Sequence, residues 1–269
     1  MKVGKQAMSK TKPPSRNTGQ RREQIMQLLM ERGSVEVSEL APKLGVSTVT
    51  IRSDLAAFEE QGLVTRSYGG AALKRMPPQE HNIRQKDGLN SSLKERIGAR
   101  AAQLVSSGDN IIIDSGTTTM ALAHQLRELR NITVMTNGLN IAWELADAEG
   151  VELMLTGGLL RKKSLSILGT QAEACLGGYI FDKLFLGVDG CDLQFGLTTH
   201  HEAEARLNHM MVERAKKVIV LSDSSKFGRV SLHRIVQLDR VHTLITDAGI
   251  SSEYRDGLLR LGLELIIVE

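Results

Sequence analysis

The spacing of apolar residues changes period along the chain, and the changes divide it. From Arg22 to Arg32 the run REQIMQLLMER puts Ile25, Leu28 and Leu29 at helical spacing with charged residues opposite, and Gly33 ends it. Ser34 to Val37 reads as a short strand or a turn. Ser38 then caps a second helix, kept short by Pro42, and Gly45-Val46 turns the chain towards Ser47, the N-cap of a third helix from Thr48 to about Gln61. At 100° per residue Ile51, Leu55 and Phe58 share one face of that third helix, while Val49, Arg52, Ser53 and Ala56 lie towards the other. Gly62 to Ala72 forms two strand-like runs about a glycine-containing turn, a wing with Arg66 near its tip. Residues 20–75 are therefore expected to form a winged helix-turn-helix.

Residues 76–90, with Pro77-Pro78, lack a period and read as a linker. A helix over 92–106 follows, and then short apolar runs alternate with helical ones to the end of the chain. Strands are expected at 111–113, 133–135, 152–155, 183–186, 218–221, 243–245 and 264–268, and helices at 118–129, 139–146, 202–215 and 252–261. This alternation predicts a mostly parallel α/β sheet covered on both faces over 91–269.

Composition and charge sharpen the division. With 41% hydrophobic and 24% charged residues in 269, the chain can bury a sizeable core. Residues 1–78 carry a net +6 and the remainder −3. The excess lies in a basic tail, expected to be disordered over 1–19, because Lys2 to Arg22 holds seven basic residues and no acid. A basic front end suits a polyanion. Cys175 and Cys191 are too few for a disulfide framework and read as core residues. No apolar run approaches the roughly 18 residues of a membrane span, and no apolar stretch follows the basic N-terminus, so a cytoplasmic protein with no membrane partner is expected.

In the front part, a recognition helix meets base edges with its first turns. Ser47, Thr48, Val49, Thr50, Arg52 and Ser53, with Arg66 from the wing, form the candidate DNA-contacting set. Arg52 can pair with a guanine edge or with a phosphate.

In the rear part the strands end in Asp114-Ser115-Gly116-Thr117-Thr118-Thr119, Thr136-Asn137-Gly138, Thr156-Gly157-Gly158, Gly187-Val188-Asp189-Gly190 and Ser222 to Arg229. Ligands of open parallel sheets bind outside the carboxyl ends of the strands, so these turns outline a site for a small polar ligand. Ser115 to Thr119 suits a phosphate: Gly116 allows close approach, and the helix start that follows offers unpaired N–H groups. It is neither a Walker A loop nor GxGxxG, which disfavours a nucleotide. Arg161 and Lys226 can neutralise phosphate, and Asp114, Asn137 and Asp189 suit sugar hydroxyl or amino groups. With Gly157 these make the candidate effector set. Thr199-His200-His201-Glu202, Glu204 and His209 are metal-ligand types without a metal-site spacing, and neither metal nor cofactor is expected.

The stretch VSELAPKLGVSTVTIRSDLAAFEEQGLVTRSYGGA resembles the winged helix of the DeoR family of bacterial repressors, through Thr50-Ile51-Arg52-Ser53-Asp54-Leu55 and the later E-x-x-G-L and G-G-A. Ser53 departs from the family, which usually has a second Arg there, so Arg52 and Arg66 carry over as cationic contacts and Ser53 does not. From about Ile83 onward the chain is similar to the sensor domain of the same family, related in fold to ribose-phosphate isomerase and glucosamine-phosphate deaminase. That likeness rests on the D-x-G-T-T at Asp114, the T-N at Thr136, the G-G at Gly157, the G-x-D-G at Gly187 and Ser225-Lys226-Phe227. It implies a homo-oligomeric repressor whose partners are operator DNA and a phosphorylated, amino-sugar effector. The rival class is an enzyme, a sugar-phosphate isomerase or deaminase carrying a helix-turn-helix. It needs a positioned acid/base, for which Asp114, Asp189 and Glu202 are candidates without a spacing that demands the role.

Overall fold

A computed structural model describes residues 17–60, 63–67, 69–73 and 80–269. The expected tail up to residue 16, Tyr68 of the wing and positions 76–79 of the expected linker lie outside the described residues. The chain forms two compact units, divided between Met76 and Pro77.

The first unit runs α1 (Asn17–Arg32), β1 (Ser34–Glu36), α2 (Val37–Lys43), α3 (Thr48–Glu60), β2 (Val64–Arg66) and β3 (Gly70–Leu73). Its antiparallel sheet has the order β1-β3-β2. The apolar stripes meet as their spacing predicts: Ile25, Leu29, Leu40, Ile51, Leu55 and Phe58 are buried in one cluster with Val64 and Ala71. Ser47 caps α3, its hydroxyl accepting from the Thr50 N–H at 3.2 Å. Ser38 does not cap α2. That helix starts one residue earlier, from the extended Glu36, whose carboxylate accepts the Ser38 hydroxyl at 3.1 Å. Gly70 lets the wing strand cross β1, because a Cβ there would stand 2.0 Å from the Val35 carbonyl oxygen.

The second unit opens with α4 (Ile83–Gly88), α5 (Ser91–Ala102), β4 (Asn110–Ile113), α6 (Thr117–Leu126), β5 (Ile132–Thr136), α7 (Leu139–Leu145) and β6 (Val151–Leu155). After the hairpin β7 (Leu159–Arg161) and β8 (Ser166–Leu168) come α8 (Thr170–Leu176), β9 (Phe181–Gly187), β10 (Gly190–Asp192), β11 (Gly196–Thr199) and α9 (Glu202–Glu213). The chain ends with β12 (Ala215–Leu221), β13 (His233–Val236), β14 (Thr243–Asp247), α10 (Ser252–Arg260) and β15 (Glu264–Val268).

Seven strands form one sheet, β15-β14-β12-β9-β4-β5-β6, and every pair in it is parallel. Consecutive residues of β4 feed opposite layers, as a sheet covered on both faces requires. Ile111 and Ile113 pack with Ile97, Leu122 and Leu126 of α5 and α6, whereas Ile112 packs with Leu176, Leu207 and Leu258 of α8, α9 and α10. Two antiparallel additions, β7-β8 and β10-β11-β13, were not apparent from periodicity.

Residues 80–90 correct an expectation. Read as linker, they belong to the second unit and contain α4, closed at its start by a capping box in which Asn82 and Gln85 exchange side-chain and backbone bonds at 3.0 Å.

Candidate functional site

On the first unit, α3 turns its buried edge inward and leaves Thr48, Val49, Arg52 and Ser53 exposed, with Val49 70% accessible. Arg52 makes no ion pair among the described residues. Thr50 is half-buried and its hydroxyl bonds that of Ser47 at 2.9 Å, so these two serve the cap as well as the surface. Arg66 ends β2 beside the wing turn, its N–H donating to Glu59 at 3.2 Å and its guanidinium 3.7 Å from the same carboxylate. Asp54, 2% exposed, receives Arg21 at 2.6 Å and Arg22 at 2.8 Å. Two cations counted with the basic front are therefore matched internally and pin α1 to α3.

On the second unit the sheet order reverses between β4 and β9. This is the topological switch point, where an open parallel sheet leaves a crevice at its carboxyl edge. Asp114, Ser115 and Gly116 follow β4, and Gly187 to Asp189 end β9 and lead away from it. The two turns are closely apposed: a Cβ on Gly187 would lie 3.2 Å from Asp114 Oδ2 and 3.7 Å from the Gly116 Cα. Gly116 is the N-cap of α6 and no side chain caps that helix, so the first N–H groups of α6 lack an intrahelical acceptor.

The threonines divide. Thr119 is fully buried and its hydroxyl donates to the Asp114 carbonyl at 2.6 Å and the Gly116 carbonyl at 2.8 Å. It shapes the loop and offers no free hydroxyl to a ligand. Thr117 is half-buried and Thr118 is 8% exposed. One strand over, Asn137 is 1% exposed and its Oδ1 has no hydrogen-bond partner among the described residues.

Buried carboxylates dominate the crevice. Burial, with the nearby charges of Glu204 and Asp189, pushes Asp114 up to about 7 against the hydrogen bonds from the Ser115 and Gly187 backbones. Burial acts the same way on Asp189, but the Lys86 ammonium 2.6 Å away, with His200 and Lys226 nearby, outweighs it and lowers the pKa. Lys226 is half-buried and makes no ion pair among the described residues; burial lowers its pKa against the pull of Asp189 and Asp223.

Two expected members do not present themselves to a ligand. Arg161 is held by Glu80 at 2.6 Å and Glu204 at 3.3 Å, so its charge is already matched. Gly157, past the sheet-edge strand β6, is exposed and a Cβ there would meet nothing within 4 Å, so no close approach requires a glycine.

The structure adds residues that pattern reading missed. Glu80 and Lys86 lay in the supposed linker. Thr199 joins the two carboxylate groups, its hydroxyl 3.0 Å from Asp189 and 3.4 Å from Glu204. Lys94 did carry a signal: with Ile97, Gly98 and Ala101 it occupies the buried stripe of α5, a charge where the period calls for an apolar residue.

A separate groove of about 460 Å³ between α8, α9 and β13, lined by residues including Glu173, Arg206, His209 and His233, contains none of the candidate effector residues. Among the described residues no group of His, Cys, Asp and Glu could hold a metal ion, and no helix is long and apolar enough to cross a membrane.

The DeoR-like helix-turn-helix domain matches residues 21–75 and the DeoR C-terminal sensor domain matches residues 89–248. A relative named "Putative aga operon transcriptional repressor" from Escherichia coli O157:H7 is 48% identical, covering 93% of this chain and 94% of its own. The HTH-type transcriptional regulator GlpR of Haloferax volcanii is 35% identical over 92% of this chain and 96% of its own. Among solved structures, ribose 5-phosphate isomerase A of Methanocaldococcus jannaschii aligns with 52% of this chain and 56% of its own at 19% identity and a TM-score of 0.40, too partial a likeness to carry an argument. With both domains matched in order, on a winged helix and a parallel-sheet sensor, the chain belongs to the DeoR family of transcriptional regulators.

Proposed function

We propose that the protein represses a sugar-catabolism operon in the cytoplasm, binding operator DNA through α3 and the wing, and leaves the operator when a phosphorylated amino sugar occupies the switch-point crevice. The observation that carries this reading is the loop Ser115 to Thr118, which opens α6 at the switch point with uncapped N–H groups. The phosphoryl group lies against those groups, with Lys226 near. The carboxylates of Asp114 and Asp189 and the unpartnered Asn137 Oδ1 address the sugar, and such acceptors favour hydroxyl and ammonium groups. The relative 48% identical is named for an operon, which fits the reading. Operator half-sites commonly mirror protein symmetry, and one winged helix with few exposed cations binds weakly, so the repressor acts as a homo-oligomer.

The test is fluorescence anisotropy on DNA upstream of the protein's own operon, titrated with hexosamine 6-phosphates and the unphosphorylated sugars. A ligand releases DNA only through better binding to the low-affinity state, and tenfold release needs about 1.4 kcal/mol of difference. Phosphorylated sugars should weaken binding at least tenfold, and Thr118→Leu should bind the operator yet fail to release it. Loss of DNA binding by that variant with normal sugar-phosphate binding would place the ligand elsewhere. A second reading is favoured by one observation: a buried carboxyl at about 7 is suited to acid/base work on a sugar phosphate. Turnover in the same titration, followed by NMR of the sugars, would establish the isomerase or deaminase reading instead.

A further inference from the structure

Helices α5 and α6 cover the same face of the sheet and approach closely at Gly98, where a Cβ would lie 2.5 Å from the Ala121 carbonyl carbon. Because α5 leads into β4 and α6 leads out of it, both helices begin at the carboxyl edge of the sheet. One turn before Gly98 stands Lys94, and one turn before Ala121 stand Thr117 and Thr118. Lys94 thus stands at the same level of the helix pair as the uncapped start of α6.

Lys94 is 5% exposed. Its ammonium donates to the main-chain carbonyl of Lys86 and makes no ion pair among the described residues. Burial lowers its pKa, with Asp223 acting the other way and Lys226 acting with it. A desolvated ammonium satisfied by one neutral carbonyl is poorly compensated, and an anion improves its position more than any other ligand does.

The carbonyl belongs to residues 80–90, and that segment is held almost wholly by polar contacts. No residue of α4 is buried. Lys86 reaches Asp189 at 2.6 Å, Glu80 reaches Arg161 at 2.6 Å and Lys163 at 3.0 Å, and the Asn90 amide donates to Asp223 at 3.2 Å. The Ile83 N–H adds a bond to the Lys163 carbonyl at 2.8 Å. With little apolar burial, the strap is held by these ion pairs and hydrogen bonds and not by a core of its own, and in sequence it adjoins the boundary between the two units.

We propose that Lys94 binds the phosphoryl group of the effector and that residues 80–90 form a latch on the same ammonium, so that phosphoryl binding displaces the Lys86 carbonyl and frees the segment leading to the DNA-binding unit. The proposal rests on the effector reading above and adds to it both the cation that reads phosphate and the element that reports its arrival. The carbonyl takes one of the three N–H donors of the ammonium, and a phosphoryl group that draws the ammonium onto its own oxygens takes it out of reach of the carbonyl, which couples occupancy to release without any contact between ligand and DNA-binding unit.

Hydrogen exchange on the full chain tests this, read at the Gln85, Lys86 and Leu89 amides, which bond within the strap. Galactosamine 6-phosphate and glucosamine 6-phosphate are the probes, with the unphosphorylated hexosamines as controls and calorimetry for affinity. In the wild type a phosphorylated probe should speed strap exchange at least tenfold, and a control should not. Lys94→Met fills the same space without a charge, and thermal melting checks its fold. Its strap should exchange fast without ligand, and its affinity for the phosphorylated probe should fall at least tenfold. Lys86→Met, which leaves Lys94 in place but removes the tie to Asp189, should bind the phosphorylated probe more tightly than the wild type. Wild-type affinity in Lys94→Met would overturn the assignment of Lys94 while leaving the effector reading standing. Unchanged or weaker binding in Lys86→Met would overturn the competition. A wild type that binds neither phosphorylated probe would overturn this proposal together with the effector reading.

Discussion

Asp114 makes the stability of the sensor unit depend on pH in a direction opposite to that of most carboxylates. Its carboxyl is pushed from 3.8 up to about 7 by burial first and by Glu204 and Asp189 second. In the unfolded chain the group ionises near 4, whereas in the folded chain it holds its proton until about pH 7. Stability from this residue is therefore fully present below pH 4, falls as pH rises from 4 to 7, and stays at the lower level above that. Each unit of displacement is worth about 1.4 kcal/mol, so three units amount to about 4 kcal/mol. Asp114→Asn keeps the shape and removes the titration. The free energy of urea unfolding of the sensor unit, followed by circular dichroism from pH 5 to 8, should fall in the wild type relative to the variant by a few kcal/mol. The difference between the two proteins isolates this group from the other carboxylates. A difference that is flat across that range, or one in which the wild type gains on the variant as pH rises, would refute the argument that Asp114 is buried without a matching cation.

Two further outcomes follow from the first unit. Arg52→Ala should lose about 1–3 kcal/mol of operator affinity per half-site while melting normally, since the side chain is exposed and makes no ion pair among the described residues; an unchanged footprint would remove Arg52 from the groove. Asp54→Ala leaves Arg21 and Arg22 without their shared carboxylate and should destabilise the winged helix by roughly 3 kcal/mol, read by calorimetry as a lowered transition of that unit; a shift below experimental error would mean that water replaces the carboxylate at no cost.

What could be read from the sequence was whatever local spacing enforces. The third helix, its Ser47 cap and its buried face depend on neighbours within a few residues, and α3 forms with the expected Ile51, Leu55 and Phe58 inward. The central strands were equally plain, because a strand covered on both faces is a continuous apolar run, as in Ile111 to Ile113. The pieces that escaped are short and paired at a distance. β11 is four fully buried residues, Gly196 to Thr199, half of them threonine, and its place is set by pairing with β10 and β13 and not by any period of its own.

The candidate site could be proposed from chemistry but not from charge balance, for a physical reason. Turn residues at strand ends announce themselves, and Asp114 to Thr118, Asn137 and Asp189 do gather at one edge of the sheet. Whether a charged residue there is available depends on its partner, and partners come from far along the chain. Asp189 is matched by Lys86, 103 residues earlier, and Arg161 by Glu80, 81 residues earlier. Both matches arise from the segment with the least internal pattern. An aperiodic stretch has no apolar face to bury, so polar contacts alone can hold it, and those contacts fall on the charged groups that rim the crevice. The segment looked like a linker for the same reason that it can let go: nothing in its own sequence ties it down.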